Sequence, residues 1–197
     1  MPNYQLTLFN NSPQPFTFIV YQTVDDPQNP YSLAWLSSNS PVSPHSSTSF
    51  EWQDNYAMFF GQGSVYPGAQ FTPGGETPAN LENANQATFT TQPYPKFLSV
   101  VPGQPGLFTI RTDATVAPGQ FAVGIGMSNA PSIIMPANPN WMAGFPANPT
   151  IWIAAVGDEM SAGTILNRAE LSNTMQIPSG EYSASYSFDG NQWSLSS

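Results

Sequence analysis

FAVGIGMSNAP, residues 121–131, sets two glycines one residue apart inside an apolar run. As a phosphate-binding loop it would make the chain a nucleotide enzyme; as a strand it would make it a scaffold. A dinucleotide fingerprint needs a third glycine where Asn129 stands and a helix opening behind it, and Pro131 and Pro136 follow instead. The phosphate reading fails. Extended, the stretch sorts Phe121, Val123, Ile125 and Met127 onto one face and Ala122, Gly124, Gly126 and Ser128 onto the other. One face is bulky and the other nearly bare. That pattern suits a central strand crossed closely by a neighbouring loop, or else a groove that docks a partner strand.

The same period of two recurs along the chain. YQLTLF (4–9) and FTFIVYQ (16–22) flank the break NNSPQP and are expected to form a hairpin. Further strands are expected at SLAWL (32–36), STSFEW (47–52), NYAMFFGQ (55–62), QATFTT (86–91), LFTIR (107–111), IWIAAV (151–156), TMQI (174–177) and YSASYSF (182–188). With 21 prolines and 15 glycines spread throughout, long helices have almost no room, since an interior proline costs about 3 kcal/mol in a helix. The best helical candidate is ILNRAELSN (165–173). Short strands at turn-marked spacing predict an all-β fold, an antiparallel β-sandwich of jelly-roll type with at most one or two short helices. No linker-like block divides the 197 residues, so a single domain, 1–197, is expected.

Charge narrows the partners. Lys96, Arg111 and Arg168 face twelve carboxylates, for a net charge of -9, so no basic patch can gather phosphates. Nucleic acid and anionic membrane are disfavoured. Asn, Gln, Ser and Thr must cover the surface, which suits self-association or contact with sugars. There is no cysteine, which removes disulfides, thiol nucleophiles and Cys-based zinc sites. The start, MPNYQLTLFNNS, lacks the basic and apolar regions of a secretory signal. Apolar runs such as IWIAAV fall far short of the roughly 20 residues that span a bilayer. A soluble protein without membrane insertion is expected, either accumulating in the cytoplasm or reaching the extracellular surface by a non-classical route.

Islands along nearly the whole chain add a family likeness. LFNNS (8–12), YQT (21–23), SLAWL (32–36), FEWQDNYAMFF (50–60), NQATFT (85–90), VGIGMS (123–128), NPNW (138–141) and TIWI (150–153) resemble the rhizosphere-expressed RhiA protein family. The resemblance implies a small bacterial protein made abundantly under quorum-sensing control near plant roots. It transfers no catalytic chemistry and no functional residues. The chain is richer in proline around 93–106 and 131–149 than the family pattern.

The reactive inventory is thin. His45, the single imidazole, sits in the Pro/Ser loop SNSPVSPHSSTS, the setting of a surface histidine and not of a triad. Glu51 and Asp54 flank Trp52 and could serve as a glycosidase pair only if a cleft gathers both. Asp25, Asp26 and Asn29 in TVDDPQNP are a weak calcium candidate that matches no EF-hand spacing and suits Asx-turns better. GDEM (157–160) is a second acidic turn. In PANPNWMAGFPANPTIW (136–152), Trp141 and Phe145 would form a ligand-binding aromatic platform if displayed, or close one end of the sandwich if turned inward; the inward placement is favoured.

No cofactor and no catalytic residue are assigned. The expected function is a non-enzymatic, self-associating β-sandwich protein, abundantly expressed, with a structural or surface role in microbe–host or microbe–microbe interaction. The alternative is a lectin-like carbohydrate-binding module. The expected partner is a second copy, in an oligomer or filament, with a glycan on the alternative. Open sandwiches usually guard their strand edges with lysine, and Lys96 is the only lysine here. The first strand (Leu6, Thr7, Leu8) and the strand around Gly124 and Gly126 are the expected self-association elements, with Lys at Thr7 as the disrupting change.

Overall fold

The computed structural model describes residues 3–180 and 183–196, and among these the chain forms strands and no α-helix. The sheets pack as two facing pairs. In the first pair, the order β17 (Trp193–Leu195), β16 (Ser183–Phe188), β1 (Asn3–Asn10), β5 (Ser46–Gln53) faces β15 (Thr174–Gln176), β14 (Thr150–Val156), β2 (Thr17–Thr23), β4 (Ala34–Ser37). Leu6, Leu8, Phe50 and Phe188 from one sheet meet Phe18, Val20, Ile153 and Ala155 from the other. In the second pair, β13 (Met142–Pro146), β10 (Leu107–Thr112), β8 (Gln86–Thr90), β9 (Lys96–Phe97) faces β3 (Tyr31–Ser32), β12 (Ala130–Pro136), β11 (Phe121–Met127), β6 (Tyr56–Gln62), β7 (Gly75–Pro78). Phe89, Phe108 and Ile110 fill the space against Met58, Val123, Ile125 and Met135. Alternating apolar residues supply the sides on which the sheets face each other, the sandwich-like arrangement expected, and β2 and β11 are buried on their far sides as well, against Leu166 and Phe71.

The two pairs join where β3 passes into β4. Leu33 N–H donates to Ser132 O at 2.9 Å. Ser132 Oγ donates to Gln22 Oε1 at 2.7 Å, and Ser32 Oγ donates to the Gln22 carbonyl at 2.6 Å. All three polar residues are buried, so the seam is a hydrogen-bonded network inside the core, with Gln22 Nε2 left without a partner.

The stretch 121–131 is a hairpin arm. β11 pairs antiparallel with β6 on one side and β12 on the other. Ser128 and Asn129, at φ of 54° and 59°, make the two-residue turn between them, a conformation whose twist matches that of the flanking strands. A Cβ built on Gly124 would fall on the Ile133 carbonyl oxygen, and one on Gly126 on the Ala130 carbonyl oxygen and the Pro131 Cα. The bare face is therefore filled by backbone. The close neighbour is strand β12, with a register shift between Ile125 and Gly126, and not a crossing loop.

Two expectations are corrected. Segments 4–9 and 16–22 do not pair: β1 lies between β16 and β5, while β2 lies between β14 and β4 in the facing sheet. The break between them is a corner built by buried Asn10, whose Nδ2 donates to Gln14 O at 2.8 Å and Val42 O at 2.7 Å. Residues 165–173 are not helical. Ile165 bridges Leu33 and Leu166 N–H donates to Ser32 O at 2.9 Å, so their backbone groups serve a sheet edge. The strands pair antiparallel as expected for the most part, with β1–β16 and β8–β10 running parallel. Tyr182, which opens the last expected strand, lies outside the described residues.

Candidate functional site: an open strand edge and an aromatic cleft

An all-β sandwich must deal with its strand edges, whose outward N–H and C=O groups recruit other strands. Most edges here are short or covered. β3 and β9 have two residues each, β15 and β17 three each, and β7 ends at Pro78. The edge of β4 is taken by the segment after Ser161: Ala34 N–H donates to Thr164 O and Gly163 N–H to Ala34 O, both at 2.8 Å. The edge of β13 is capped by one side chain, since Gln28 Nε2 donates to Met142 O at 3.2 Å and Gln28 Oε1 accepts from Gly144 N–H at 3.3 Å.

β5 is the exception. It is an eight-residue edge strand, SSTSFEWQ, paired only with β1. At its end Ser128 Oγ accepts from Gln53 N–H at 2.7 Å and donates to Gln53 O at 3.4 Å, so both backbone groups of Gln53 point away from β1. Alternation then turns those of Glu51, Ser49 and Ser47 outward too, and none of these has a backbone partner on that side among the described residues. The strand carries no proline and no cation. Ser47, Ser49, Glu51 and Gln53 are exposed on the outer face, and Phe50 and Trp52 are buried beneath it.

The self-association residues expected from sequence lie elsewhere. Leu6 and Leu8 are core residues, and Thr7 sits in the sheet interior opposite both Ser49 and Ser185, its Oγ1 3.0 Å from Ser49 Oγ. Gly124 and Gly126 lie on a central strand. Neither segment is an edge, because each strand is flanked on both sides by a long neighbour. Phe145 is fully buried opposite Phe108, and Trp141 is half-buried with its backbone bound to Thr112, so they form no displayed platform. The inward placement holds. In the acidic loop, Asp26 Oδ1 accepts from Gln28 N–H at 2.7 Å and Asn29 has φ of 54°, an Asx-turn that aims Gln28 at β13. No group of three or more His, Asp or Glu that could hold a metal occurs among the described residues. His45 is exposed in the turn entering β5, at φ of 59°. Glu51, on the outer face beside Gln5, and Asp54, beyond the strand end, are directed to different surroundings.

Sequence reasoning missed what Asp54 joins. In register, Tyr4 lies opposite Trp52, and their rings stack at 5.2 Å with planes 4° apart. Tyr4 Oη donates to Asp54 Oδ2 at 3.0 Å. Tyr56 completes the group at the start of β6, donating to Ala147 O at 3.2 Å. These four residues line a cleft of about 500 Å³ with an apolar floor of Met127, Ile151 and Ile177 and a rim that includes Asn148 and Ser179. Burial, and then the Asp54 charge, push the Tyr56 hydroxyl up to about 12, so it stays a neutral donor. Trp52 Nε1 is buried without an acceptor, a deficit of about 1–3 kcal/mol if left so. The available signal was FEWQDNY, an aromatic–acid alternation spanning a strand end, but only the register of β1 supplies Tyr4.

These features define a class: an all-β, sandwich-like protein with, among its described residues, one long unguarded edge and an aromatic, carboxylate-bearing cleft beside it. The chain belongs to the RhiA family, whose model matches residues 1–197. Protein RhiA of Rhizobium leguminosarum bv. viciae is 31% identical over 176 residues, covering 88% of this chain and 76% of the relative. No solved structure matches the chain significantly. The likeness carried by islands such as SLAWL and VGIGMS is thus a family relationship.

Proposed function

We propose that this protein is a non-enzymatic, self-associating member of its family, and that β5 of one copy adds to β5 of a second. The carrying observation is the open eight-residue edge, without proline or cation, in a chain whose other edges are short or covered. Antiparallel pairing about a two-fold axis would extend one sheet across both copies. Registers that place Ser49 opposite Ser49 or Glu51 keep the two Glu51 carboxylates apart and continue the apolar face of Phe50. Two-fold pairing closes as a dimer; pairing of β5 with a different edge would propagate as a filament. The role we propose for such an assembly is a structural or surface one, in contacts between microbes or with a plant host.

Light scattering coupled to size exclusion across concentration tests this. Wild type is expected as a dimer that Ser49→Pro converts to monomer, because the Ser49 N–H faces the open edge and its loss spares the internal ladder. Ser49→Lys with Glu51→Lys sets lysine opposite lysine in the central registers and is expected to do the same. A wild type that stays monomeric at high concentration and forms no filaments under the electron microscope overturns the proposal.

A further inference from the structure

The cleft beside β5 has a chemistry that edge pairing does not use. Its walls are the stacked Tyr4 and Trp52 with Tyr56, and its polar groups are Asp54, Asn148 and Ser179. At about 500 Å³ it falls within the range of small-molecule sites, and its apolar floor with a few convergent polar groups fits their usual make-up.

Two hydrogen-bonding needs set the ligand, that of a buried donor without a partner and that of a half-exposed carboxylate. Trp52 Nε1 is a buried donor without an acceptor. Asp54 accepts from Tyr4 through Oδ2, while Oδ1 takes no hydrogen bond from the described residues. An anion would meet the first need but not the second; none of Lys96, Arg111 and Arg168 lines the cleft, and the chain carries a net charge of -9. A bare organic cation would meet the second and leave the indole N–H unpaired. A hydroxyl group both accepts and donates, and a pyranose also presents C–H faces that pack on aromatic and aliphatic walls. We propose that this cleft is a binding site for a neutral saccharide ring, with Asp54 and Trp52 Nε1 as its polar anchors. The site stands apart from the Trp141–Phe145 segment, and it stands or falls independently of strand pairing.

The test is isothermal titration calorimetry with the methyl glycosides of glucose, galactose and mannose, with N-acetylglucosamine, and with tetramethylammonium chloride, beside an array of neutral glycans. At least one neutral saccharide is expected to bind saturably. Asp54→Ala is expected to weaken that binding by about tenfold or more, the scale of a lost hydrogen bond to a charged group. Trp52→Phe keeps the ring, removes the N–H and is expected to weaken binding as well, while Glu51→Gln leaves it unchanged. Thermal melts of each variant establish that the fold persists; Asp54, half-buried at the rim, is the decisive position if Trp52→Phe does not fold. Absence of any neutral-saccharide binding, binding unaltered by Asp54→Ala, or binding of tetramethylammonium alone overturns the proposal.

Discussion

β11 and β5 look alike as text and behave oppositely in the fold. FAVGIGM and SSTSFEWQ both lack lysine, and each is rich in small residues, glycine and alanine in one and serine in the other. β11 is enclosed by β6 and β12, and its small face is occupied by neighbouring backbone. β5 has β1 on one side and, among the described residues, a hydrogen bond only to Ser128 at its far end on the other. Small residues therefore mean two things here. On β11 they make room for a neighbour already present; on β5 the uncharged serines leave the backbone edge clear for another strand to pair. Protection of an edge is a property of sheet order, and charge is only one way to supply it.

The comparison breaks first at Gly126. Gly126→Ala pushes a methyl into the Ala130–Pro131 backbone, and the expected loss is about 3 kcal/mol, seen as a fall of roughly 10 °C in Tm. An unchanged urea midpoint would mean that β12 yields freely and that the small face is not a packing requirement.

Thr7→Lys, one strand inward from β5, sharpens the contrast. Thr7 is flanked by Ser49 and Ser185, so the change is expected to cost about 1 kcal/mol of stability and to leave association untouched. Loss of the dimer in Thr7→Lys with stability intact would return the interface to β1. The smallest expected effect is at Gln28, the side chain that caps β13. Gln28→Ala is expected to cost about 0.5–1 kcal/mol and to free Gly144 N–H and Met142 C=O as a second edge. Assemblies larger than a dimer, seen by light scattering at high concentration, are the expected outcome; a dimer alone would show that β13 is guarded by more than one side chain.

Local sequence chemistry determined the elements. Period-two alternation in YQLTLF, FTFIVYQ and IWIAAV, with proline and glycine between, produces strands because successive side chains must face opposite sides. Asn129 and the prolines behind it excluded a phosphate loop for the same local reason. The family could be recognised from islands of residues, since these record ancestry without reference to geometry. The inward turn of Phe145 was equally legible, a large ring in a chain with apolar faces to fill.

Tertiary structure alone decided which strands are neighbours. The corner at Asn10 sends residues 4–9 and 16–22 into facing sheets, and it depends on a carbonyl 32 positions away, at Val42. Edge status followed from that order, so Thr7 and Gly124 became interior positions and Ser49 an open one. The cleft followed as well: Tyr4 reaches Asp54 across 50 residues of chain, because the pairing of β1 with β5 sets Tyr4 against Trp52. Backbone pairing partners are chosen by non-local burial, and no window of the sequence contains both halves of the choice.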